Sequence, residues 1–242
     1  MINEMLEEKR IMPERFRILS GSALKVIALI CMIIDHTAKA FYSKLSMIVF
    51  KIPLIIKHKD LYWLMSRIGR IAFPVYCFLL VEGFLHTRDK KKYALRLFAF
   101  AVISEIPWDL IHYNRLFDLS GQNVFFTLFL GVLGMFLYEY YENNGFKQVV
   151  SLLLILVVSV FLRADYGITG FCFILMLYAL HDRWLLKSVI GCGILSSTYF
   201  AGLAFIPINL YNGKRGFIKG KVLQYAFYAI YPIHLLVLYF IR

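Results

Sequence analysis

Asp35 and His36 stand side by side within the apolar run Ser22 to Tyr42. A carboxylate at a membrane helix centre costs roughly 2.5–3.5 kcal/mol on an insertion scale, so ionisable groups in such a run are functional suspects. An imidazole there has the proton affinity of a general base at neutral pH. Successive helical residues point about 100° apart, so Asp35 is expected to pair across helices or tune the local field rather than orient its neighbour. Lys25 precedes His36 by eleven residues, close to three turns, which puts the two on one stripe roughly 16 Å long. A cation at one end and a base at the other suit an elongated anionic substrate.

Other polar groups interrupt apolar runs in the same way. Arg67 and Arg70 lie one turn apart and share a face. Their donors suit phosphate or carboxylate, or else an ion pair with Glu82, Glu105 or Asp109. Glu82 with His86, and Glu105 with Asp109, are spaced i,i+4, so each pair points one way and could orient an imidazole or neutralise the arginines. Asp165 and Tyr166 mark a helix junction, where an Asp also serves as an ordinary N-cap. His234, behind Pro232, is either a second catalytic imidazole or a histidine bonded across helices; Tyr231 lies one turn before it. Asp165, Tyr166 and Tyr231 are candidate acceptor contacts. The loop Y-N-G-K-R-G (211–216) offers backbone donors with Asn212, Lys214 and Arg215 for an anion. No Walker A, H-E-x-x-H, G-x-S-x-G or zinc spacing appears, and no metal is expected.

The elements that must position these groups are membrane helices. The chain has 242 residues, 60% hydrophobic and only 17% charged, which excludes an ordinary soluble domain. The net charge of +12 sits between apolar runs, where topology signals belong, so nucleic acid is not an expected partner and the lipid bilayer is. Cys31, Cys77, Cys172 and Cys192 lack C-x-x-C spacing and read as buried free thiols. Residues 1–20 form a charged segment without a signal-cleavage pattern, so the first helix is expected to double as an uncleaved signal. Residues 21–242 read as a single transmembrane helical domain, all-α, with about eight helices and a range of six to ten.

In order, the expected helices are Ser22–Tyr42, Leu61–His86 with a kink at Pro74, Tyr93–Ile111, Asn123–Tyr141, Val149–Leu162, Ile168–Leu180, Leu185–Leu210 and Val222–Ile241. Leu45–Ile56 is too short for a standard span and reads as interfacial, re-entrant or a short paired crossing. Trp63, Trp108 and Trp184 fall near helix ends, as an interfacial belt would place them. The basic loops 88–92 and 212–221 both carry a cytoplasmic signature. They can share a side only if Leu185–Leu210, with its Gly191, Gly193, Gly202 and Pro207, is split in two or another piece is re-entrant.

Several stretches together resemble one family. L-K-V-I-A-L-I-C-M-I-I-D-H, R-I-G-R-I-A-F-P-V-Y-C-F-L-L-V-E-G-F-L-H-T, Y-A-L-R-L-F-A-F-A-V-I-S-E-I-P-W-D-L, Q-N-V-F-F-T-L, D-Y-G, Y-N-G-K-R-G and F-Y-A-I-Y-P-I-H-L-L run in order from about residue 21 to 241. As a set they are similar to the TraX family, named for a conjugation protein associated with pilin acetylation. Its wider relatives include acyltransferase-3 type membrane acyltransferases and the lysosomal heparan N-acetyltransferase. That broader group carries an Arg and, after ten intervening residues, a His on the first helix, and then an R-x-x-R pair. Lys25 and His36 hold the first spacing with Lys for Arg, and Arg67 with Arg70 holds the second.

The resemblance implies an acyltransferase-3-like helical bundle in the bacterial inner membrane, crossing it several times. It implies an acyltransferase that takes an acetyl group from acetyl-CoA to an amine or hydroxyl of an envelope peptide, glycan or lipid. His36 would be the base, with Asp35, Glu82, Glu105, Asp109 and His234 around it. Lys25, Arg67, Arg70, Asn212, Lys214 and Arg215 would hold the donor. Two other classes stay open: a transporter or flippase using the buried charges, and a non-catalytic envelope assembly protein. Oligomeric state is not legible, since faces that meet lipid and partner look alike.

Overall fold

Ser20 starts the first helix: its hydroxyl accepts the Ala23 N–H at 3.3 Å, an N-cap, and α1 runs Gly21–Ala40. The computed structural model describes residues 12–51 and 58–242. The first eleven residues of the charged N-terminal segment, and residues 52–57, which include the end of the Leu45–Ile56 stretch, lie outside the described residues. A short helix α2 (Tyr42–Leu45) follows. Strands β1 (Val49–Lys51) and β2 (His58–Asp60) then pair antiparallel, Val49 opposite Asp60.

Asp60 caps α3 (Leu61–Gly69) by accepting the Trp63 N–H at 2.6 Å. The helix breaks at Arg70–Ile71 and resumes as α4 (Ala72–His86). The expected kink is thus one turn before Pro74, because the proline has no N–H to offer the Arg70 carbonyl. Asp89 caps α5 (Lys90–Tyr113), Asn123 caps α6 (Val124–Tyr140) and Asn144 caps α7 (Gly145–Phe161), each through its side-chain oxygen. After α7 come α8 (Gly167–Ala179), α9 (Trp184–Ile194), a 3₁₀ stretch (Ser196–Ala204), α10 (Phe205–Asn209) and α11 (Lys221–Ile241).

Among the described residues the regular structure is helical apart from that one short ladder. Among the described residues three stretches are long and apolar enough to cross a membrane: Gly21–Ala40, Leu61–His86 and Val222–Ile241. With the shorter apolar helices between them, these are the helices of a membrane protein. α1 packs on α3, α4 and α11, while α5 packs on α6 and α11, and α6 also meets α7 and α8. Leu24, Ala28, Val75, Phe84, Leu97, Val132, Phe173 and Leu235 fill the centre. Cys31 and Cys77 are buried as expected, whereas Cys192 is exposed on α9. Trp108 departs from the belt: it is buried, and its indole N–H donates to the Gly121 carbonyl at 3.2 Å.

The segment Leu185–Leu210, read from the sequence as one tilted helix or two broken halves, is two pieces and folds back on itself. It runs inward as α9, reaches Trp63 through Phe200 (ring centroids 5.7 Å apart), and returns as α10. Its two ends meet where the Asn209 amide donates to Ser188 Oγ at 2.8 Å. Residues 86–92 and 211–221 therefore lie at one end of the molecule, here called the basic end. The loop at 211–218 is stitched to the start of α1. The Gly21 and Ser22 N–H groups donate to the carbonyls of Lys214 (2.8 Å) and Arg215 (2.9 Å), and Ser22 Oγ accepts the Ile218 N–H at 2.7 Å. Gly216 sits at φ +85°, and a Cβ there would meet Ser22 Oγ at 2.7 Å; both the backbone and the space require glycine. At the opposite end lie α2, the ladder, residues 114–123 and 162–166, and Arg242.

Candidate functional site

A cavity of about 560 Å³ opens at the basic end between α1, α4, α5, α6 and α11. Lys25, Arg96 and Arg215 line its mouth together with Glu82, His86 and Thr87. Lys25 is there because α1 starts at this end, and Arg215 because its loop is tied to that start. Further in, Met32, Leu97, Phe125 and Leu128 make the wall apolar, and Tyr231 of α11 stands at depth. A concave, mostly apolar pocket with a few converging polar groups is the usual form of a small-molecule site.

Behind Tyr231 lies the pair His36–His234, the first buried and the second half-buried. The Tyr231 ring meets His36 edge-on at 5.9 Å and His234 at 5.7 Å. The two imidazoles lie edge to edge and nearly coplanar, with centroids 4.8 Å apart and 19° between planes, and His36 Nδ1 lies 2.6 Å from His234 Nε2. His234 Nδ1 is 2.9 Å from the Ile230 carbonyl, which only accepts, so Nδ1 carries the proton. Neutral His234 then accepts through Nε2, which requires a proton on His36 Nδ1. The lone pair of His36 falls on Nε2. The pair has the tautomer of a base with a fixed orientation.

A second polar group adjoins it on α1, α3 and the α7–α8 junction. Asp35 forms its ion pair with Lys39 along its own helix at 2.7 Å and also faces Arg70 across the α1–α3 contact, where the sequence left pairing across helices or tuning of the local field open. Its side chain lies against Gly69, where a Cβ would overlap it, so glycine lets α1 and α3 approach at this level. The Arg70 guanidinium faces the Tyr166 hydroxyl, Asp35 and Asp165. Tyr166 stacks flat on Phe73, centroids 3.6 Å apart and 3° between planes, and holds φ +63°, a costly conformation for a bulky residue. Thr127 Oγ1 donates to the Asp165 carbonyl.

The remaining residues expected at the site have other work. Glu105 accepts from the Asn123 amide, and Asp109 accepts the Asp118 N–H at 2.8 Å. Together they anchor residues 114–123 instead of meeting His36 or the arginines. In that loop Asp118 is held below the usual carboxylate range, by its hydrogen bonds with Ser120 first and by Arg115 next. Glu82 stands at the cavity mouth beside Tyr211, its carboxylate 3.9 Å from His86. Arg67 lies over the Trp63 ring at 5.6 Å; neither it nor Arg70 lines the cavity. Asn212 Oδ1 accepts the Lys214 N–H at 2.9 Å, which shapes the loop, and Lys214 contributes its carbonyl to Gly21 rather than its amine to the cavity. Among the described residues no group of three His, Cys, Asp or Glu side chains is arranged for a metal ion.

Arg96 belongs to the site and was not anticipated. It lines the mouth, and its position inside Y-A-L-R-L-F-A-F is the same signal that singled out Arg67 and Arg70. His112, one turn past Trp108, stacks on that indole at 3.7 Å.

Comparison with known proteins places these residues in a lineage. The family model described as TraX protein matches residues 20–242. The probable fimbrial assembly protein FimC, serogroup H1, of Dichelobacter nodosus is 30% identical, the alignment covering 90% of this chain and 94% of that protein. The uncharacterized protein RP591 of Rickettsia prowazekii (strain Madrid E) is 28% identical over 78% of this chain and 68% of its own length. No solved structure matches. Nearly the whole chain is thus accounted for by one family: the protein belongs to the TraX family.

Proposed function

We propose that the protein is an integral membrane acyltransferase that carries an acetyl group from acetyl-CoA to an amine or hydroxyl acceptor of the cell envelope. The observation that carries this reading is a cationic mouth above an apolar cavity that ends at Tyr231, against whose ring the base-oriented His36–His234 pair lies. The mouth residue Lys25 and His36 lie roughly 16 Å apart along α1, a span suited to a donor whose anionic end and thioester are joined by a long flexible arm. Lys25, Arg96 and Arg215 take the phosphates. His36 Nε2 takes the proton of the acceptor as its nitrogen or oxygen attacks the thioester carbonyl. The carbon–sulfur bond breaks, and the proton passes to the departing thiolate. Arg70 and Tyr166 act on the acceptor side, away from the donor mouth.

The basic loops 88–92 and 212–221 put the mouth in the cytoplasm of the bacterial inner membrane. The chain then crosses seven times, with α9–α10 as a re-entrant pair, and acyltransferase-3 enzymes are its distant relatives. The test is transfer of labelled acetyl from acetyl-CoA to an envelope fraction by the purified protein in bilayer discs. Label transferred by wild type and lost in folded His36→Ala supports the reading; no transfer to any envelope fraction counts against it.

A second reading is a non-catalytic role in envelope assembly, favoured by the name of the Dichelobacter relative, a probable fimbrial assembly protein. It predicts that His36→Ala supports surface assembly as well as wild type does.

A further inference from the structure

A groove of about 320 Å³ runs down the outer surface between α5 and α6, separate from the central cavity. α5 contributes Lys91, Ala94, Leu95 and Phe98, spaced i, i+3, i+4, i+7 and so on one face. α6 contributes Phe129, Leu133 and Phe136 on the matching face. Phe98 and Phe129 close the lower end with centroids 5.2 Å apart, and Leu95 and Phe98 are exposed on the lip. From Lys91 to Phe98 the groove descends roughly 10 Å along the helix axis. It is apolar for its whole depth and has one cation at its head.

The charge at that head is uncommitted. Of the three successive lysines, Lys90 pairs with Glu139 and lies over the Phe84 ring at 4.4 Å. Lys92 pairs with Asp89 at 3.2 Å. Lys91 forms no ion pair among the described residues. Glu139, the carboxylate that α6 brings to this end, is taken by Lys90 and by the Tyr178 hydroxyl at 2.7 Å, so it does not neutralise Lys91.

We infer that this groove is a binding site for an anionic phospholipid of the leaflet at the basic end, with its phosphate on Lys91 and one acyl chain between α5 and α6. A free phosphate would find a single exposed lysine there. A lipid finds both halves of its own chemistry, head above and chain below, in the orientation that it already has in the bilayer. The site is independent of the acyltransferase reading, since none of its residues lines the central cavity.

The test uses the full chain, stripped of lipid in detergent and offered equal amounts of phosphatidylglycerol and phosphatidylcholine, with retained lipid read by native mass spectrometry. Phosphatidylglycerol should be retained at least fivefold over phosphatidylcholine. Lys91→Glu should abolish that preference, while Lys92→Glu, one residue along but outside the groove, keeps it. Leu133→Trp, or Ala94→Phe if the first fails to fold, should fill the groove and lose the lipid with Lys91 still in place. Equal retention of the two lipids, equal effects of the two charge reversals, or displacement of the lipid by inorganic phosphate would each overturn the proposal.

Discussion

At the scale of single residues the account rests on where one lone pair lies. The Ile230 carbonyl fixes the proton on His234 Nδ1, His234 fixes the proton on His36 Nδ1, and His36 Nε2 is left to accept. His36→Ala should therefore lower transfer on the order of 10²–10⁴-fold, the usual contribution of a positioned base, without weakening donor binding. His234 does not need to touch a reactant to matter. His234→Gln keeps an amide oxygen that can accept from His36, and should retain more kcat than His234→Leu, with KM unchanged in both; equal kcat losses would reduce His234 to packing. His36 was legible in the sequence because an ionisable group within an apolar run is conspicuous whatever its partners. Its pairing with His234 was not, since the two lie 198 residues apart and only packing of α1 on α11 brings them together. Glu105 and Asp109 misled for the same reason: their shared face was right, but what that face meets is a loop.

At the scale of elements, close approach and deliberate breaks position the site. Gly69 lets α3 lie against Asp35, and the break before Pro74 puts Arg70 at the join of two helices, where it reaches Tyr166. Gly69→Leu should push α1 and α3 apart and destabilise the fold by about 1–3 kcal/mol, the range for overpacking. Thermal unfolding in detergent checks this, and an unchanged midpoint would mean that the helices do not meet at Asp35. Pro74 and the glycines of 191–207 were readable signals, because proline and glycine act locally. The β1–β2 ladder was not, because V-F-K and H-K-D become strands only by pairing with each other. The short helices α7 and α8 were found within a few residues of their ends, since Asn144 and the junction 163–166 punctuate them.

At the scale of the whole molecule, the fold-back of α9 and α10 settles which loops share an end. Single-cysteine variants at Asn143 and Lys219 should react with a membrane-impermeant thiol reagent from one side of the membrane, and a variant at Ser120 from the other. Labelling of Ser120→Cys and Lys219→Cys from the same side would undo the orientation. That arrangement gives the central cavity its meaning, as a path from the basic end to Tyr231, against which His36 lies. The most direct test of that path is equilibrium binding of acetyl-CoA to the folded protein in detergent. Wild type should bind saturably, the Arg96→Ala/Arg215→Ala double variant at least tenfold more weakly, and His36→Ala with wild-type affinity. Absence of binding by wild type, or binding indifferent to the loss of both arginines, would contradict the donor site.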